Sequence, residues 1–286
     1  MQPRDHIRNA LARNLSAAGE PAKLVAFVTA GYPEAREFLN VLRAVASVAD
    51  AVEIGVPFSD PMADGVTIQR SSQHAIEHGV SLRWIFDELA RRDYELEAPV
   101  LLMSYLNPLL AFGGSSNENA VGGSSAENAF GRSSTENAFG YGKLAARAAE
   151  VGVSGFIVPD LPYEESAPLR AALDRQGLAL VQLVTPATPP ERLKMLCAAS
   201  QGFVYAVTRT GITGGEATLP PGTAKYLAMV KAAASGLPVC AGFGVRRAEQ
   251  VATIAQHADG VIVGSALVEV LERHEDPAKF LRSLRP

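Results

Sequence analysis

Eight short runs dominated by valine, isoleucine, leucine and phenylalanine recur along the chain: KLVAFVTAG, DAVEIGV, PVLLMSY, SGFIVPD, LALVQLV, GFVYAVT, PVCAGFG and DGVIVGS. Each is bounded by glycine, proline, aspartate or serine, the pattern of a buried strand. The segments between them keep another rhythm. EAREFLNVLRAVASVA, YGKLAARAAEVG, EESAPLRAALDRQG and RAEQVATIAQHA repeat apolar residues at i, i+3, i+4 and i+7, which gives a helix one buried face. Strand then helix, eight times over, predicts a single α/β domain spanning residues 1–286 and folded as a (β/α)8 TIM barrel. A doubly wound open sheet uses the same elements, but its usual GxGxxG fingerprint after the first strand is missing.

One segment breaks the alternation. From Gly114 to Gly140 the chain reads GSSNENAVG, GSSAENAFG and RSSTENAFG, three tandem nine-residue copies that are mostly small and polar. They form a low-complexity loop insertion after strand 3, between that strand and its helix, and deleting them joins AFG to YGKLAARA. The copies lack the Gly and Asp spacing of calcium-binding nonapeptides and bury too little apolar surface to offset their ordering entropy. A disordered, mobile loop is the expectation for residues 114–140.

The rest of the composition narrows function mainly by exclusion. With 48% hydrophobic and 20% charged residues and a formal net charge of −4, the chain has no basic footprint for nucleic acid or an anionic membrane. Its N-terminus, MQPRDHIRNALARNL, lacks an apolar signal core, and the expected location is the cytoplasm. Cys197 and Cys240 are far apart with no CxxC spacing, as in reduced packing thiols. His74 and His78 share one helix face but lack a third ligand or an HExxH motif, so no metal site is expected.

The candidate chemistry begins in AVEIGVPFSDPMADG, residues 51–65. Side chains alternate along a strand, so Val52, Ile54 and Val56 face the helices while Ala51, Glu53 and Gly55 face the barrel lumen. Apolar walls raise a carboxyl pKa, which suits Glu53 to proton transfer near neutrality, close to the C-terminal mouth where such barrels place their sites. Asp64, on the following loop, has the wetter setting and is expected to stay ionised, so the two carboxyls differ in role. The residues alone leave a second reading open, in which Glu53 neutralises an arginine and Asp64 caps a turn. Glycine-bearing junctions follow the last three strands: TGITGG, AGFGVRRAEQ and VGSALVEVL. Gly244, Gly264 and Ser265 stand where barrels hold phosphate through backbone N–H groups and a helix N-terminus. Neither a metal-polarised carbonyl nor a Schiff base is in evidence, since none of the lysines ends a candidate strand. Carbon–carbon cleavage here therefore requires the substrate to become its own electron sink by protonation.

These stretches together resemble the tryptophan synthase alpha chain family. VEIGVPFSDPMADGVTIQRSS carries most of the likeness, supported in order by FVTAGYP, LLMSYLNPLL, FIVPDLPYEES, YAVTRTGITG, AGFGV and VGSALV. The resemblance implies a (β/α)8 lyase that splits indole-3-glycerol phosphate into indole and glyceraldehyde 3-phosphate. It also implies a beta chain partner in an α2β2 heterotetramer, with pyridoxal phosphate on the beta chain and no cofactor on this one. By the same resemblance Glu53 matches the acid/base, Asp64 the aspartate that meets the indole N–H, and Tyr205 a tyrosine beside the glycerol. Phe27 matches the indole pocket, and Gly214, Phe243, Gly244, Gly264 and Ser265 match the phosphate side. Thr213 matches a threonine of the loop that closes over substrate and contacts the aspartate. The repeats depart from the family and leave beta-chain docking open. A free-standing indole-releasing lyase, a non-catalytic phosphate-binding barrel that activates a partner and an isomerase of phosphorylated sugars are the competing readings.

Overall fold

The computed structural model describes residues 1–12, 21–114, 140–208, 221–242 and 244–285. Its centre is a closed barrel of eight parallel strands in sequential order. They are β1 (Lys23–Thr29), β2 (Ala51–Gly55), β3 (Val100–Met103), β4 (Val153–Ile157), β5 (Ala179–Val184), β6 (Val204–Val207), β7 (Val239–Gly242) and β8 (Gly260–Val263). β8 returns to pair with β1, aligning Ala26 with Val263. All eight hydrophobic runs thus form the strands expected of them.

The alternation of side chains divides the core into two layers. Val52, Ile54 and Val56 belong to the outer layer between sheet and helices, together with Leu24, Ala26 and Val28 of β1. Val25, Ala51, Leu101, Ile157, Ala179, Val181, Cys240 and Ile262 fill the lumen. The amphipathic helix α1 (Pro3–Leu11) contributes Ile7 and Leu11, both fully buried, to this inner cluster. Such a plug removes the lumen's lower end from water and leaves its chemistry to the other end.

Two helices, α2 (Phe38–Ala46) and the pair member α3 (Val66–Glu77), flank β2, and α4 (Leu82–Arg91) follows before β3. After β3 the chain forms α5 (Leu106–Gly114) directly, and α6 (Tyr141–Glu150) begins beyond the repeats. The insertion was expected between strand 3 and its helix; a helix in fact precedes it, because LNPLLAFG packs Leu109 into the outer core. The repeats themselves fall almost wholly on 115–139, outside the described residues. Their two ends meet: a Cβ placed on Gly140 would lie 2.4 Å from Gly113 backbone atoms. The remaining helices are α7 (Ala167–Arg175), α8 (Pro190–Ala199), α9 (Thr223–Ala234), α10 (Ala248–Ile254), α11 (Ser265–Glu272) and α12 (Pro277–Ser283). No described helix is long and apolar enough to cross a membrane.

Candidate active site

Glu53 occupies the middle of β2, in register with Phe27 on β1 and Leu101 on β3. It is fully buried. Neither carboxyl oxygen has a hydrogen-bond partner among the described residues, and no described arginine is neutralised by Glu53. Burial alone pushes its pKa up to about 8, which keeps the side chain uncharged at neutral pH. Phe27 explains part of this seclusion. Its ring lies so close over Gly55, the next inward-facing residue above Glu53, that a Cβ there would sit 2.4 Å from the ring's Cζ.

Above these residues a cavity of about 330 Å³ opens at the C-terminal mouth. One wall is apolar, built from Phe27, Ile68 and Met103, which also form a hydrophobic cluster with Tyr32 and Val268. Asp64, Tyr205, Thr208, Gly244, Gly264 and Ser265 line the remainder. Glu53 does not line it; its carboxyl lies beneath the floor, close enough to Tyr205 that its charge would disfavour the phenolate. Tyr205, on β6, lines the cavity and is reached by the charges of both carboxyls. Burial first, and then the carboxyls of Glu53 and Asp64, raise its pKa well above the usual phenol value, so its hydroxyl is a donor.

Asp64 has the wetter setting of the two carboxyls, as expected, but it is not fully solvated. It is half-buried on the loop between β2 and α3, and burial raises its carboxyl pKa, while a hydrogen bond from Tyr105 opposes the rise. Tyr105 Oη donates to Asp64 Oδ2 at 3.1 Å and accepts the Ala63 N–H at 2.9 Å. Gln69 Nε2 donates to the Asp64 carbonyl at 2.8 Å. The contrast between the two carboxyls is therefore one of degree: full, unopposed burial for Glu53 and partial, opposed burial for Asp64.

The far side of the cavity is a place for an anion. Gly244 adopts φ +62°, a left-handed conformation that side chains rarely take, just after β7. Gly264 precedes α11, whose first-turn N–H groups at Ser265 and Ala266 have no acceptor within the helix. Among the described residues no lysine or arginine lines the cavity. Arg246 is instead held by Glu269 through two bonds of 2.6 and 2.7 Å. Thr213, Gly214 and Phe243 lie outside the described residues. The structure thus brings together Glu53, Asp64, Tyr205, Phe27, Gly244, Gly264 and Ser265 at one mouth. Reading the sequence missed Gly55 and Tyr105. The alternation that placed Glu53 inward also placed Gly55 directly above it, and LLMSYLNPLL put Tyr105 just past a strand end, yet neither signal names the contact made. Among the described residues there is no group of three histidine, cysteine or acidic side chains able to hold a metal ion.

A flat apolar wall, an anion-binding edge and an uncharged buried carboxyl on a (β/α)8 frame define a barrel enzyme for a phosphorylated aromatic compound. The profile of the tryptophan synthase alpha chain family matches residues 13–122 and 136–284, and the chain belongs to this family. The unmatched gap falls inside the repeats. The tryptophan synthase alpha chain of Nitratidesulfovibrio vulgaris is 40% identical over 272 residues, covering 95% of each chain. That of a Caulobacter species is 39% identical over 253 residues, 88% of this chain and 82% of its own. Among solved structures, the alpha subunit from Legionella pneumophila superposes with a TM-score of 0.76 at 29% identity, over 99% of this chain and 97% of the other. A chain from the tryptophan synthase α2β2 complex of Pyrococcus furiosus gives 0.73 at 30% identity, over 93% and 98%.

Proposed function

We propose that this chain is the lyase that cleaves indole-3-glycerol phosphate to indole and glyceraldehyde 3-phosphate in tryptophan biosynthesis, with Glu53 as its acid/base. The observation that carries the assignment of roles is the uncharged, hydrogen-bond-free carboxyl of Glu53 under an apolar slot. Indole lies against Phe27, Ile68 and Met103, and the phosphate meets the N–H groups at Gly244, Gly264 and Ser265. Having no partner to release, the Glu53 side chain rotates into the cavity and gives its proton to C3 of the ring. The ring nitrogen becomes cationic, and the Asp64 carboxylate, facing the indole N–H, stabilises it. Glu53, now a carboxylate, takes the proton of the glycerol hydroxyl beside the ring. The C–C bond breaks toward the ring, its electron pair neutralises the nitrogen, and the hydroxyl carbon leaves as the aldehyde. The Tyr205 hydroxyl steadies the glycerol portion.

The partner is a beta chain, in an α2β2 assembly, and pyridoxal phosphate belongs to that chain. Met62 and Val66, 84% and 76% exposed on and beside the Asp64 loop, present the apolar surface that such docking requires. The enzyme works in the cytoplasm.

The test is turnover of indole-3-glycerol phosphate by the purified full chain, with and without beta chain. Glu53→Gln is expected to lower cleavage at least about 10²-fold while substrate remains bound. Unchanged cleavage by that variant would remove Glu53 from the mechanism. A rate indifferent to beta chain would make the protein a free-standing lyase.

A further inference from the structure

We propose that Tyr105 is a positioning residue, whose hydroxyl holds the Asp64 carboxylate at the cavity rim with one oxygen turned to the ligand. The inference rests on the reading of Asp64 as the group that meets the indole N–H. Tyr105 is only 5% exposed, and its ring packs against Phe58 with centroids 5.1 Å apart. Its hydroxyl lies between two groups of the neighbouring loop, the Ala63 N–H and Asp64 Oδ2. A phenol has one proton, and the N–H must use an oxygen lone pair, so that proton points at the carboxylate. Burial pushes the Tyr105 pKa up to about 12, and the hydroxyl remains a donor throughout the working range.

The root of the ring is fixed as well. The Leu106 N–H donates to Asp160 Oδ1 at 2.9 Å, and Ser104 Oγ donates to the Tyr105 carbonyl at 2.8 Å. A chain of hydrogen bonds therefore runs from the end of β4, through the end of β3, to the loop after β2. Gln69 also ties this loop, binding its Asp64 and Pro61 carbonyls and leaving the Asp64 carboxylate alone, while Ser59 donates to Asp60 within the loop. Tyr105 is thus the described side chain that orients the carboxylate itself. Among the described residues Asp64 Oδ1 accepts no hydrogen bond, which leaves it for the ligand.

Tyr105→Phe keeps the ring and its packing and removes only the hydroxyl. In the full chain with beta chain, it is expected to lower kcat about tenfold with little change in KM. The titratable groups that face Asp64 are Tyr105 from the end of β3 and Tyr205 from β6, both uncharged phenols in the working range, while Glu53 on β2 is neutral until about 8. Asp160 acts on Tyr105 from the end of β4. Losing the Tyr105 bond leaves burial unopposed at Asp64, so the acid limb of the kcat/KM profile moves to higher pH. A purely structural role for Tyr105 would not move that limb. On an Asp64→Asn background the same Tyr105→Phe change is expected to have no further effect. An unshifted acid limb, or an equal rate loss on the Asp64→Asn background, overturns the proposal. Full activity of Asp64→Asn alone overturns the reading of Asp64 beneath it, a separable result.

Discussion

The unpaired carboxyl of Glu53 has a cost that pH exposes. In the unfolded chain it ionises near the ordinary value of 4.5, and in the folded protein near 8. The folded-state value is the raised one, so the group favours folding fully below 4.5 and loses that contribution as pH rises toward 8. Between those values the unfolded chain releases a proton that the folded one retains, and stability falls by about 1.4 kcal/mol per pH unit. Above about 8 both states are ionised and the slope vanishes. Glu53 is fully buried, so solvent screening does not reduce the effect. From about pH 5 to about pH 9 the change attributable to Glu53 is about 4 kcal/mol, a large share of the stability of a typical domain. Glu53→Gln abolishes this slope, whatever fixed penalty its amide adds. The assay is urea unfolding of wild type and Glu53→Gln at several pH values, taking the difference between the two at each pH so that all other titrations cancel. Wild type should lose ground to the variant as pH rises and then level off. The same titration should end the alkaline limb of kcat/KM, because the acid form delivers the proton. A stability difference that is constant from about pH 5 to about pH 9 would refute the reasoning.

Two further predictions concern space. Gly55→Ala should drive the Phe27 ring into the indole slot, raising the Kd for an indole-bearing ligand more than about tenfold and costing about 1–3 kcal/mol of stability; adding Phe27→Leu should restore binding by isothermal titration, and unchanged affinity in the single variant would show that the ring does not depend on Gly55. Excising 115–139 should leave cleavage by the purified chain unchanged, because Gly113 and Gly140 already meet, and thermal unfolding should show stability equal to or above the parent, since loop closure costs only about 0.6 kcal/mol per doubling of length.

The architecture was legible because each strand is a contiguous run whose two faces are both buried, with no second period to compete. The inward direction of Glu53 followed from strict alternation, and Ala51 in the lumen and Val52 in the outer layer obey the same rule. What alternation cannot give is depth. Glu53 lies below the cavity floor rather than on its wall, because the Phe27 ring uses the vacant side of Gly55, a contact between strands that neither strand encodes alone. The partial burial of Asp64 has a related origin: PFSDPMADG reads as a wet loop, yet Tyr105 reaches it from just past the end of β3, packing on the loop's own Phe58 and bonding Asp64. Helix α5 is not legible in the pattern because LNPLLAFGG is a short, almost wholly apolar run with no polar face to give it a helical period.

The separation between the two carboxyls then has two physical origins, the extent of burial and the hydrogen bond that only one of them accepts. Both are drawn toward the neutral form by burial, and what also differs is the answer each receives. Among the described residues Glu53 has no hydrogen-bond partner, so desolvation acts alone and a proton is held ready above neutral pH. Asp64 has a phenol whose only proton is committed to it, which favours the carboxylate that a developing ring cation needs. Exchanging these surroundings would exchange the roles. A donor beside Glu53 would remove the acid, and a bare Asp64 would compete for the proton. The absence of a hydrogen bond at one carboxyl and its presence at the other are therefore equally functional features of this barrel mouth.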